Sequence, residues 1–131
     1  ADVLVRCYRA VGIDLQQLVH EDMRDNFRLY PQLWGQKGPD TNIDHRRIPN
    51  LQRFFARNGL VIPASRIVLD YAFGDIVVWR LPDGETHIAV VVPGPGARSE
   101  ERWVVHNQGD GTKWDQALLD HVIVGHYRYG K

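Results

Sequence analysis

Gly74 divides this chain of 131 residues into two parts with different apolar spacing. Ahead of it, apolar residues recur three and four positions apart, the period of helices buried by one face. Behind it they alternate or run on without interruption, as strands require. Helices first and strands afterwards pack as α+β, with the N-terminal helices laid against an antiparallel sheet. The length is that of one domain, residues 1–131, and a hydrophobic content of 44% fills a core without disulfide or metal staples.

The first helix is expected over residues 1–11 with Leu4, Cys7 and Val11 as its apolar stripe, and Gly12 as its stop. Asp14-Leu15-Gln16-Gln17 has the form of a capping box. It opens a second helix whose stripe is Leu15, Val19, Met23 and Phe27, with Asp22, Arg24, Asp25 and Arg28 on solvated faces. A third helix is expected over residues 49–58, with Leu51, Phe54 and Phe55 inward and Gly59 as terminator. Strands are expected over residues 75–81, 86–92, 102–107 and 122–129, separated by Gly- and Pro-rich turns.

Sixteen basic and sixteen acidic residues cancel and are interspersed, which gives no basic patch for nucleic acid or for an anionic membrane surface. No apolar run reaches membrane-spanning length, so no membrane insertion is expected. The single cysteine rules out an internal disulfide and a multi-cysteine zinc site. Cys7 lies in a helical apolar stripe and reads as core, since a buried thiol carries little thiolate. His20-Glu21 opens like a zinc-protease helix, but the position of the second histidine is Arg24. Nothing calls for a cofactor or metal; a metal site built from His45, His87 and His106 is not supported by their spacing.

Two strand-like segments each carry a histidine at one end, Thr86-His87-Ile88 and Val105-His106-Asn107. Paired antiparallel, the start of one lies beside the end of the other, so His87 would meet His106 or Asn107. An imidazole titrates near neutrality and its tautomer is fixed by whatever its second nitrogen bonds, which makes such a pair a candidate base and orienter. The competing reading is a structural histidine at a strand end. Residues 31–48 form a long polar stretch of the kind that lines sites. Within it Asp44, His45, Arg46 and Arg47 offer groups to grip a substrate carboxylate, or equally an ordered loop held by internal ion pairs.

Asp2-Val3-Leu4-Val5-Arg6, Gly12-Ile13-Asp14-Leu15-Gln16, Leu18-Val19-His20-Glu21-Asp22-Met23, Asn42-Ile43-Asp44-His45-Arg46-Arg47-Ile48-Pro49, Gly74-Asp75-Ile76-Val77, His87-Ile88, Val105-His106-Asn107 and Gly125-His126-Tyr127-Arg128 resemble the bacterial "domain of unknown function 1287" family. The match runs through almost the whole chain. The resemblance implies a papain-like fold of the NlpC type and kinship with cysteine peptidases and amidases that cut peptidoglycan stem peptides outside the cytoplasm. It further implies His87 as base, His106 as the third polar residue with Asn107 as runner-up, and a nucleophilic cysteine directly ahead of the first helix. Cys7 matches no functional position. The expectation is therefore a monomeric, periplasmic or extracytoplasmic domain whose parent protein cleaves cell-wall peptides, and which without its cysteine is inactive. Because the chain opens in mid-helix pattern, it reads as trimmed at its N-terminus. The alternative is a non-catalytic domain of the same fold that binds a peptide or glycan through Asp44, Arg46 and Arg47.

Overall fold

The computed structural model describes residues 2–31, 38–39, 47–96, 101–107 and 111–130. Among them, α1 (Asp2–Ala10), α2 (Leu15–Asn26) and α3 (Ile48–Asn58) precede β2 to β6, and the short β1 (Leu60–Val61) follows α3 directly. The remaining strands are β2 (Ile76–Arg80), β3 (Thr86–Val92), β4 (Trp103–Asn107), β5 (Thr112–Asp115) and β6 (Val122–Arg128). They form one sheet in the order β1-β6-β2-β3-β4-β5, antiparallel throughout. The α+β expectation is met in that form.

Local chemistry sets the helix ends. Gly12 takes φ +84°, the left-handed stop that closes α1. Asp14 caps α2 by accepting from the Gln17 backbone N–H at 3.1 Å. Gly59 ends α3 for a different reason: its φ is −122°, but a Cβ there would lie 2.6 Å from the Arg128 carbonyl oxygen. Only a glycine lets the helix end come so close to β6.

The α1 stripe differs from its expected form. The helix stops at Ala10, leaving Val11 72% exposed, and it is Leu4, Val5 and Tyr8 that are buried, with Cys7 half-buried beside them. They pack with Leu15, Val19, Met23, Leu51, Phe54 and Phe55 onto Ile76, Val78, Ile88 and Val90 of the sheet. The side chains of α2 and α3 are tied by Asp22, which accepts from Arg57 at 2.9 and 3.1 Å and also from Tyr30.

The sheet is covered on both sides. Val77, Trp79, Ala89, Val91 and Val104 face away from the helices and are buried under Tyr71 and Leu118. Burial on both faces explains the unbroken apolar run of β2, where Ile76 to Trp79 are all buried. Arg66 secures the second cover by donating to the carbonyls of Leu119 at 2.6 Å and His121 at 3.0 Å.

Candidate functional site

Register places the two histidines on one face. His87 stands opposite Trp79, and Ala89 stands opposite His106. Cross-strand partners share a face, and so do residues two apart along a strand. His87 and His106 are thus diagonal neighbours, offset by two residues rather than directly opposed. Diagonal positions lie about 7–8 Å apart, within reach of imidazole side chains. Asn107 follows His106 and faces the other way, where Thr112 donates to its side chain at 3.0 Å. The strand alternation that pairs the histidines therefore separates Asn107 from them.

The face they share is not the one that carries α1. Leu4, Val5 and Tyr8 of that helix pack against Ile88 and Val90, whose side chains alternate with those of His87 and Ala89. The sheet lies between the buried face of α1 and the two imidazoles.

His106 is built into a cluster. Its ring meets Trp79 edge-on at 5.3 Å, and its Nε2 lies 3.0 Å from Asp115 Oδ2. Its side chain is 7% exposed while that of Asp115 is 45% exposed, so the carboxylate links a buried imidazole to the surface. Lys113 stands directly opposite His106 on β5. The ring of His121 contacts Trp79 at 5.4 Å, and a cavity of about 530 Å³ opens beside it, lined by Arg66, Arg80, Pro82, Leu119, His121 and Ile123. Trp79 itself is fixed by its indole N–H, which donates to the Leu118 carbonyl at 3.0 Å. The side chain of His87, half-buried, makes no hydrogen bond or ion pair to a described residue.

A second polar group lies at the far end of the same face. Asp75 accepts from Arg128 at 2.7 and 2.9 Å and from the Ala72 backbone N–H at 3.0 Å, and it lies 2.6 Å from His126 Nε2. The His126 ring stacks on Tyr71 at 4.0 Å, and its Nδ1 is 3.4 Å from the Pro63 carbonyl oxygen. Both nitrogens of this buried imidazole are engaged, so His126 is a structural residue.

Asp44, His45 and Arg46 lie outside the described residues. Arg47 is half-buried and extended, in the position just before α3. No group of three metal-ligating side chains occurs among the described residues. Cys7 lies on the helix side, lining a cavity of about 440 Å³ with Tyr8, Ile13, Val90 and Tyr129, and burial pushes its thiol up in pKa. That is the environment of an unreactive thiol.

Asp115 was missed by sequence reasoning, because Thr112-Lys113-Trp114-Asp115 has no apolar alternation to mark a strand. The signal that could have found it is the Gly109-Asp110-Gly111 sequence after Asn107, a turn signal ahead of residues that pair with β4.

A family model described as "Domain of unknown function (DUF1287)" matches residues 1–129. "Uncharacterized protein YijF" of Escherichia coli (strain K12) is 50% identical over 129 residues, which are 98% of this chain and 62% of that protein. The chain thus spans less than two thirds of the curated relative it matches. No solved structure matches it.

Proposed function

The chain belongs to the DUF1287 family, and on that footing we propose that it forms most of a papain-like, NlpC-type cysteine hydrolase that cleaves an amide or peptide bond in bacterial cell-wall peptides outside the cytoplasm. The observation that carries this reading is the placement of His87 and His106 on one face, two residues out of register, with the His87 imidazole unengaged by any described residue and His106 anchored by Asp115.

In that role His87 takes the proton of a cysteine thiol, the thiolate attacks the carbonyl carbon, and the imidazolium returns the proton to the departing amine. Water then hydrolyses the thioester. His106 shares the face of the base at the diagonal position, from which an imidazole orients it once the two rings meet. Cys7 does not serve as nucleophile, since it lies on the opposite side of the sheet. The proposal assigns the nucleophile to a cysteine further ahead of α1 in the full-length protein, on a segment that reaches the His87 face of the sheet. No metal or cofactor enters this chemistry.

The test is a thiol-reactive probe on the full-length protein. Selective labelling of a cysteine ahead of α1 that is abolished in His87→Ala supports the hydrolase. Equal labelling in the two proteins, with peptide or glycan still bound, replaces it with a binding domain of the same fold.

A further inference from the structure

The contact between His106 and Asp115 has a consequence for which proton the imidazole carries. An Asp carboxylate only accepts, so the nitrogen facing it must donate. A neutral imidazole has one N–H, and fixing it on Nε2 leaves Nδ1 as a bare acceptor. The ring is also held by Trp79 edge-on at 5.3 Å, so it presents that nitrogen in a defined direction.

We infer that Asp115 is a positioning residue of the histidine site: through its 3.0 Å contact it locks His106 in the Nε2–H tautomer, leaving Nδ1 to accept the N–H of a neighbouring imidazole. His87 is the imidazole that shares the face, at the diagonal position. Closing the diagonal gap between the two rings completes a chain of carboxylate, orienting imidazole and base across β5, β4 and β3. Each step needs its donor and acceptor in the stated order, because His106 in the other tautomer would turn an N–H toward the base and leave the carboxylate without a donor. Lys113, opposite His106, is the other charged group that β5 presents to it. The carboxylate is half-exposed, so its effect here is directional.

The tautomer assignment stands on geometry alone, whereas its effect on rate rests on the hydrolase reading. Both are measured on the full-length protein. Long-range ¹H–¹⁵N correlation at about pH 8.5, above the ordinary imidazole range, reports which nitrogen of each histidine is protonated. His106 is expected to show a protonated Nε2 and a bare Nδ1. Asp115→Asn, which keeps an acceptor oxygen, should preserve that pattern, while Asp115→Ala should give mixed tautomers. His126, engaged by Asp75 and Pro63, is the internal reference and should not change.

A protonated Nδ1 in the wild-type protein overturns the inference even where the alanine variant does not fold, and so does an unchanged spectrum in a folded Asp115→Ala. Where hydrolysis is measurable, Asp115→Ala should lower kcat about 10–100-fold at nearly constant KM, with Asp115→Asn recovering most of the loss. The predicted tautomers in a protein without hydrolase activity uphold the positioning role and remove the proposed function. Hydrolysis indifferent to Asp115→Ala does the reverse.

Discussion

Asp75 Oδ2 and His126 Nε2 lie 2.6 Å apart at side-chain exposures of 1% and 0%, a polar pair fully enclosed in the described fold. Burial alone would favour a neutral Asp75 carboxyl. The hydrogen bonds from Arg128, His126 and the Ala72 N–H outweigh it and hold the carboxyl below its usual range. Removing it strands His126 and one side of Arg128, so Asp75→Ala should destabilise the domain by about 3–5 kcal/mol in urea denaturation at neutral pH.

The same group fixes a pH dependence. A carboxyl with a folded pKa below its unfolded value contributes stability above the unfolded value, near 4, and loses it as pH falls through the folded one. Stability of the wild-type protein should therefore drop on acidification below about pH 4, and the drop should be shallower in Asp75→Asn. Asp22 is also held low, chiefly by Arg57, and contributes with the same sign. Equal acid limbs for wild type and Asp75→Asn would contradict the assignment.

Gly59→Ala tests the close approach of α3 to β6. With φ at −122° the backbone tolerates a side chain, but the added methyl meets the Arg128 carbonyl at 2.6 Å. The expected cost is about 1–3 kcal/mol from forced displacement of β1 or β6. A neutral substitution would mean that this end of the sheet yields freely.

Much of the fold was legible in the sequence because its elements are strongly patterned. The helix around Leu15, Val19 and Met23 announces itself by period and cap, and β2 to β4 by their apolar runs and turns. β1 and β5 were not legible: Leu60-Val61 is two exposed residues, and Thr112-Lys113-Trp114-Asp115 is held by pairing with β4 rather than by burial. The histidines were visible through their strand positions and the family resemblance. Their face was not, since it depends on which side of the sheet the helices cover, and that is a long-range choice. The second cover, with Tyr71 and Leu118, hides in irregular segments and left the sheet looking one-sided.

Cys7 separates a structural thiol from a catalytic one. Half-buried and raised in pKa, it should react slowly with thiol reagents in the folded protein and fully on unfolding, and Cys7→Ala should leave any hydrolysis unchanged. Rapid native-state labelling at Cys7, with loss of activity, would move the site to the helix side of the sheet.

The most direct measurement is peptide or amide hydrolysis by the full-length protein alongside its His87→Ala variant, on cell-wall stem peptides at neutral pH. A base within reach of the nucleophile contributes about 10²–10⁴-fold. The account predicts turnover in the wild-type protein that falls by that factor in His87→Ala while the variant keeps its fold and its unfolding midpoint. Turnover undiminished by His87→Ala, or none from a folded protein that still binds such peptides, would contradict it.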